Sequence, residues 1–344
     1  RPGENLADLR AQLAATRHGV GELRALAATM GTTTYLERAA GVREHAARAA
    51  SRAIHALGPL DRRVEQVLDD GSRLRLRVRT EAGRLLVDFT GSAARHPGNF
   101  NAPIAITTGA CVYLMRLLAG EAVPMNEGLL EPVDLVIPRG MLNPDFTGDP
   151  ADHPAVCAGN TETSQRVTDT LLLAFDLAAC SQGTMNNLLF GNDSFGYYET
   201  ISGGAGATAR GPGCSGVHTH MTNTRITDPE VLENRFPVLL DRFGLRRGTG
   251  GDGRFPGGDG VVRSIRARER LEVSFVSQHR RGGPYGLAGG RAGAVGAQHR
   301  IDLAGRRCPL ASCDQVTLEP GESICIETPG GGGWGTPVAD EGIT

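Results

Sequence analysis

The chain has 344 residues, of which 40% are hydrophobic and 22% are charged, and its formal net charge is −2. These values are ordinary for a soluble globular protein, and the balanced charge argues against nucleic acid as a partner. No apolar run approaches the length of a membrane span, so we expect no membrane partner and predict a cytoplasmic location.

All 36 basic residues are arginine. The chain therefore cannot supply a Walker A lysine, a Schiff-base lysine or a lysine general base. The seven cysteines form no C-x-x-C pair and are odd in number. This pattern argues against a zinc ribbon or a complete disulfide framework and favours a reducing compartment. Most of the cysteines are predicted to be small buried side chains.

Two helices are predicted at the start of the chain. Leucines at helical spacing indicate the first over residues 5–29, and Gly31 separates it from a second that ends near residue 57. Alternating arginines and aliphatic residues then predict strands. These strands cover residues 64–68, 73–79 and 84–89. The third ends in DFTGS (88–92), which fits a site edge and a turn-capping aspartate equally well.

The stretch from residue 159 to residue 192 is the most informative part of the chain. It begins with the polar cluster NTETSQ (160–165), continues through a helix predicted over 162–177, and ends in the polar cluster SQGTMNN (181–187). Apart from Glu162, both clusters are uncharged and rich in hydrogen-bonding groups. Such side chains suit a pocket for a small polar molecule, because an unpaired donor or acceptor there is penalised.

Glycine-punctuated β structure is predicted beyond residue 192, with the strands 261–266, 271–277, 315–318 and 323–327. His218 and His220 share one face of an extended segment. They form either a hydrogen-bonding pair or part of a metal site that needs further ligands. The run Gly330–Gly333 either permits close approach of backbones or forms a flexible loop.

The predicted fold class is α+β, with helices and sheets mixed in the first two-thirds and a glycine-rich, mainly β part after it. We place a helical segment at 1–60, an α+β core with a polar substrate wall at 61–192, a mainly β region at 193–336 and a tail at 337–344. A neutral polar pocket of this kind can hold a carbonyl oxygen or an oxyanion. Ser181 has no base nearby in the sequence, which leaves the pocket as half of an active site.

The chain resembles the hydantoinase B / 5-oxoprolinase family. The resemblance rests on segments that follow one another in family order and span most of the chain. They include DFTGS (88–92), NFNAP (99–103), NEGLLEP (126–132), AGNTETSQ (158–165), SQGTMNN (181–187), YYETISGG (197–204), GVHTHMTNTR (216–225), RRGGPYGLAGG (280–290) and ETPGGGGWG (327–335). The segments that look most like the 5-oxoprolinase branch are YYETISGG, the run THMTNTRITDPEVLE (219–233) and the closing ETPGGGGWG.

The resemblance implies an ATP-dependent opening of a cyclic amide, such as 5-oxoproline or a hydantoin. It places ATP and Mg on a hydantoinase A-type ATPase partner. It also implies an upstream N-terminal half of the same subunit, which carries the ligands of a possible divalent metal, so no complete metal site is expected in this chain. Two alternatives stay open: a subunit of an ATP-dependent acetone or acetophenone carboxylase, and a non-catalytic scaffolding or truncated subunit.

Within this resemblance the candidate catalytic residues are Glu162, His218 and His220. The candidate substrate-binding residues lie in the polar clusters and in flanking segments. They are Asn101, Glu127, Asn160, Gln165, Ser181, Gln182, Thr184, Asn186, Asn187, Asn223 and Arg225.

Overall fold

Two consecutive helices lead into the first sheet of the computed structural model, which describes residues 2–120 and 122–337. They are α1 (Pro2–Met30) and α2 (Thr32–Leu57), and both confirm the sequence prediction. Gly31 separates them with a left-handed φ of 82°. The alanine-rich face of α2 is buried, whereas the leucines of α1 remain about half exposed.

The first sheet has the strand order β1-β2-β3-β4. Its strands are β1 (Asp61–Val67), β2 (Arg73–Glu81), β3 (Arg84–Asp88) and β4 (Val133–Val136), and only the β3–β4 pair is parallel. Along β2, Leu74, Leu76 and Val78 are buried. The intervening arginines form ion pairs with acidic side chains of β1. The predicted alternation of a buried and a wet face is confirmed, and Asp88 caps the following turn by accepting from Thr90 N at 2.8 Å.

Helices cover the buried face of this sheet. They are α2, α3 (Ile104–Ala119) and α4 (Ser164–Ala174), and α4 packs on β1, β2 and α3. All but one of the residues of α4 are buried, the polar ones included. The helix that carries the first polar cluster therefore lies in the interior and not on the surface.

The second half of the chain adds two further sheets, in the orders β11-β10-β13-β8-β7 and β12-β9-β5-β6. Their strands are β5 (Asn187–Asn192), β6 (Phe195–Thr200), β7 (Val238–Arg246), β8 (Gly260–Ala267), β9 (Leu271–Val276), β10 (Ala297–Ile301), β11 (Arg307–Pro309), β12 (Cys313–Leu318) and β13 (Ser323–Glu327). A short helix, α5 (Pro229–Arg235), precedes β7 and begins at the Asp228 cap. The α+β class with a mainly β second part is confirmed.

An apolar core lies between these two sheets and contains one buried ion pair. The guanidinium of Arg263, 1% exposed, donates to both carboxylate oxygens of Glu199 at 2.6 and 3.0 Å. Strands β5, β6, β7, β10 and β11 have no counterpart among the predicted strands. Strand β7 is exposed along most of its length, so it lacks the two-residue hydrophobic period that identifies a strand.

Glycine-rich segments without regular secondary structure connect the sheets. Gly331 N donates to Gly258 O and Gly332 N donates to Cys180 O, both at 2.8 Å, and Gly333 N donates to Arg291 O at 2.9 Å. A Cβ atom at Gly331 would overlap the carbonyl of Ala205. The run 330–333 thus permits close approach of backbones, which was one of its two sequence interpretations.

Three of the seven cysteines are buried and four are exposed, so the prediction that most of them are buried is wrong.

Among the described residues no helix is both long and apolar enough to cross a membrane. Strands β5 and β6, on either side of residue 192, pair in one sheet. The domain limits drawn from the sequence stay a prediction, and its tail, apart from residue 337, lies outside the described residues.

Gly331→Ala is expected to destabilise the protein by about 1–3 kcal/mol or more, because the new methyl group has no space among the surrounding carbonyls. Gly109→Ala is the matched control. Its Cβ would meet no atom within 4 Å, and alanine favours a helix interior by about 1 kcal/mol over glycine. The measurement is chemical denaturation of both variants, and equal midpoints would contradict the close-contact argument.

Candidate functional site

A π-helical turn, Gly159–Thr163, introduces helix α4 and carries Glu162. Turns of this kind are rare and are frequent at functional sites. Thr163 Oγ1 donates to Phe100 O at 2.6 Å, and a Cβ at Gly159 would overlap the backbone of Asn101. The turn is therefore pressed against the NFNAP segment, and this packing directs Glu162 into the interior.

Glu162 is fully buried among groups from the second polar cluster. Its Oε1 accepts from Met185 N at 3.0 Å and from Asn187 Nδ2 at 2.6 Å, whereas its Oε2 has no hydrogen-bond partner. Burial raises the pKa of Glu162 to about 8, and these hydrogen bonds only partly oppose the rise. Asn187 also accepts from the Tyr198 hydroxyl at 2.7 Å, which fixes the orientation of its amide.

Asn186 is the centre of a neighbouring network. Its amide donates to Gln182 Oε1 at 2.9 Å and accepts from Arg280 Nη2 at 2.8 Å. Its φ of 45° lies in the left-handed region, which asparagine tolerates better than most residues. Thr184 Oγ1 accepts from Asn186 N at 3.0 Å, and Gln182 Nε2 has no partner. SQGTMNN is thus a buried, mutually bonded set with a few free polar atoms.

The histidine segment packs against the first turn of α4. Gln165 Nε2 donates to Thr222 Oγ1 at 2.6 Å and to Thr219 O at 3.0 Å, which ties this segment to the helix. His220 has a left-handed φ of 55°, and its Nδ1 lies 3.2 Å from the hydroxyl of Tyr113 on α3. Burial lowers the pKa of His220 to about 4.

His218 is half-buried, and its Nε2 lies 3.2 Å from Thr224 Oγ1. Burial lowers the pKa of His218 as well. The two histidines were expected to share one face of an extended segment. The left-handed backbone at His220 breaks that alternation. Within the part of the chain that the structure describes, His220 has a carboxylate within 4 Å and His218 does not.

Some of the predicted substrate-binding residues lie outside this buried cluster. Asn101 is buried, but its amide is already bonded to the backbone of His96, Gly98 and Ala155. Ser181 Oγ accepts from Gly206 N at 3.0 Å and so links its own segment to the backbone at Gly206. Exposed side chains make up the rest of this group: Glu127, Asn160, Asn223 and Arg225.

Asp169 and three residues around it, Arg166, Cys180 and His279, were not predicted to be site residues. Asp169 lies seven residues after Glu162 and is fully buried, and neither of its carboxylate oxygens has a hydrogen-bond partner of good geometry. Burial raises its pKa to about 7, while Arg166 and the nearby Cys180 thiol lower it only in part. The seven-residue spacing of two acids in one helix was a usable signal, because such residues share a face.

Asp169, Cys180 and His279 place three potential metal ligand atoms within 4.8 Å of one another. His279 Nδ1 lies 2.7 Å from Gly282 O, which leaves Nε2 directed at Cys180 Sγ, 3.7 Å away. The guanidinium of Arg166 contacts the same Nε2 and adds positive charge where a cation would sit. The expectation that this chain holds no complete metal site stays a prediction.

A groove on the described residues lies apart from this cluster. It has a volume of about 680 Å³ and is open to solvent. Its floor is one face of the β12-β9-β5-β6 sheet, with Leu189, Glu272, Ser274, Gln315 and Thr317 among its lining residues. It contains no predicted site residue and no convergent set of buried polar groups, so we do not assign chemistry to it.

Comparison with known proteins identifies the family. A family model described as hydantoinase B/oxoprolinase matches residues 1–337. The chain belongs to the hydantoinase B/oxoprolinase family. It is 44% identical over 352 aligned residues to 5-oxoprolinase 1 of Arabidopsis thaliana, an alignment that covers 97% of this chain and 27% of that protein. The chain thus spans about a quarter of that relative's length.

Two solved structures share the fold. The ATP-dependent caprolactamase from Pseudomonas jessenii superposes with a TM-score of 0.80 at 21% identity, covering 96% of this chain and 62% of the other. A nucleotide-free acetone carboxylase superposes with a TM-score of 0.76 at 18% identity, covering 92% of this chain and 51% of the other. The family-level prediction from the sequence is therefore confirmed.

Glu162→Gln is expected to flatten the dependence of stability on pH. Glu162 has a pKa near 8 when folded and a reference value of 4.5 when free. Between these values the folded state holds one more proton, and the free energy of unfolding falls as pH rises. Glutamine carries no such proton. The wild type should lose up to several kcal/mol more than the variant between about pH 5 and pH 8.

The measurement is chemical denaturation at both pH values. Glu272→Gln is the matched control, because Glu272 is an exposed residue on β9 and its substitution should leave the wild-type slope unchanged. Parallel curves for the wild type and Glu162→Gln would show that the Glu162 carboxyl is not held protonated by its burial.

Proposed function

We propose that this chain is part of an ATP-dependent enzyme that opens a cyclic amide, with 5-oxoproline as the favoured substrate. The observation that carries the proposal is the 44% identity over nearly the whole chain to a plant 5-oxoprolinase. The fold similarity to a caprolactamase is compatible with chemistry on a lactam. A hydantoin substrate and a carboxylation reaction are the competing possibilities.

We place nucleotide binding on a hydantoinase A-type partner, where ATP supplies the phosphoryl group that activates the amide oxygen. The glycine-rich segment 203–207 of this chain does not fit a phosphate. A Cβ at Gly204 would overlap the carbonyl of Gly258, and one at Gly206 would overlap that of Ala179. Protein backbone thus fills the space that a phosphate cradle would need.

The role of this chain in the proposal is to bind and orient the ring near the Glu162 network. Unpaired polar atoms remain at Glu162 Oε2, Gln165 Oε1 and Gln182 Nε2. With its raised pKa, Glu162 is protonated at neutral pH and presents a hydroxyl donor to a carbonyl oxygen. Substrate access to these buried groups requires local opening of the surrounding segments.

The proposal predicts that the complete enzyme, with its ATPase partner, hydrolyses ATP faster when 5-oxoproline is added and forms glutamate. Ring opening is followed by amino-acid analysis, and hydantoin and acetone with bicarbonate are tested in parallel. Acetone- and bicarbonate-dependent turnover would replace the proposal with a carboxylase. Failure of all three substrates would favour a scaffolding role for this chain.

Glu162→Gln and Asn186→Ala are expected to lower the rate of ring opening at least tenfold, because each removes a polar group that no neighbour replaces. Glu272→Gln and Asn192→Ala, outside the Glu162 network, are the matched controls and should retain activity. Wild-type rates in both site variants would mean that the two polar clusters are structural.

A further inference from the structure

Asp169 and His220 face each other with unused polar atoms. Asp169 Oδ1 lies 3.7 Å from His220 Nε2, and neither atom has a hydrogen-bond partner. The Asp169 side chain is fully buried, and that of His220 is 12% exposed. Two unpaired polar groups so close in a protein interior are costly unless they serve each other, and a movement of a few tenths of an ångström joins them.

The other ring nitrogen of His220 also has a polar neighbour. Its Nδ1 lies 3.2 Å from the Tyr113 hydroxyl, and the two rings pack edge to face with centroids 5.9 Å apart. Tyr113 is half-buried on α3, so the series Tyr113, His220, Asp169 runs inward from near the surface. Burial, together with the charge of Asp169, raises the pKa of Tyr113, which keeps its hydroxyl protonated as a donor.

The surrounding chain holds this geometry rigidly. The left-handed backbone of His220 is unfavourable for a residue other than glycine and persists only where neighbours impose it. Gln165 supplies that restraint through its hydrogen bonds to Thr219 O and Thr222 Oγ1. On the other side, the Tyr285 hydroxyl donates to the Asp169 carbonyl at 2.6 Å and fixes that turn of α4.

We propose that Asp169 is a positioning residue that holds His220 in the Nε2–H tautomer, so that the free Nδ1 faces Tyr113 and acts as a base through its hydroxyl. The arrangement follows the logic of a buried carboxylate that orients a histidine. Nδ1 accepts the Tyr113 hydroxyl proton while the tyrosine oxygen takes a proton from water. The resulting hydroxide oxygen bonds to the carbonyl carbon while the carbonyl π-electron pair moves onto the amide oxygen, and the Asp169 carboxylate stabilises the imidazolium. When the ring C–N bond then breaks, the leaving nitrogen takes the imidazolium proton through the Tyr113 hydroxyl.

This catalytic consequence rests on the proposed function, whereas the tautomer does not. Histidine nitrogen NMR of the ¹⁵N-labelled wild-type chain is expected to show His220 protonated at Nε2. The Asp169→Asn variant should change that tautomer or mobilise the ring. Asp176→Asn, which removes only the ion pair of Asp176 with Arg62 beyond the end of the same helix, should leave the His220 signals in place. An Nδ1–H tautomer in the wild type would overturn the proposal whatever the substrate.

The Asp169 carboxylate faces His220 through its Oδ1, which lies 3.7 Å from Nε2. The charged or titratable groups that face Asp169 come from several elements. They are Arg166 on its own helix, Tyr113 on α3, His220 in the histidine segment, and Cys180, His279 and Tyr285 in the connecting segments. Arg166 favours the ionised form of Asp169, whereas burial opposes it.

In the complete enzyme, Asp169→Asn is expected to lower kcat at least tenfold with little change in KM. Tyr113→Phe should lower kcat while His220 keeps the Nε2–H tautomer. This result would separate proton transfer through Tyr113 from the orientation of His220 by Asp169. A wild-type kcat in Asp169→Asn would restrict Asp169 to a structural role. A wild-type enzyme inactive on all three substrates would overturn the proposed function but leave the NMR result standing.

Discussion

Close backbone contact at glycine holds the second half of this molecule together. Hydrogen bonds between peptide groups connect the closing glycine run to the segments around residues 180, 205, 258 and 291. These backbone segments approach one another so closely that, at several of the glycines, an added methyl group would overlap a carbonyl oxygen. The contacts also fix Cys180, which follows α4 and directly precedes the second polar cluster. The geometry of the site therefore depends on residues that have no side chains.

The cost of burying polar groups determines the chemistry of the interior. Glu162 and Asp169 lie on one face of the π-turn and helix α4, and both are fully buried. Loss of hydration raises the pKa of each carboxyl, to about 8 and about 7 respectively. Their surroundings differ, because Glu162 has amide donors from the second cluster while Asp169 faces His220. One element thus presents two carboxyl groups suited to different tasks, one as a donor and one as a partner of histidine.

The buried position of the polar clusters changes how the family resemblance is interpreted at the level of residues. From composition, SQGTMNN was expected to form a wall that contacts substrate. In the structure, Asn186 and Asn187 are bonded mainly to Gln182, Glu162, Arg280 and backbone groups. Such a network specifies one arrangement of the interior and leaves only a few atoms for a ligand. Its contribution to binding, if the proposed function is correct, comes through those atoms and through orientation of neighbouring groups.

The sequence alone determined the helices, most strands, the α+β class and the family, because these depend on local periodicity and on segments in a fixed order. It also singled out Glu162 and His220 as candidate catalytic residues, and their roles stay predictions. Only the tertiary structure decided the partners of these residues. Asp169 meets His220 across 51 positions of sequence and His279 across 110, and no local pattern encodes such contacts. The exposed strand β7 and the filled space around Gly204 were likewise beyond sequence reasoning, because burial and backbone proximity are properties of the packed chain.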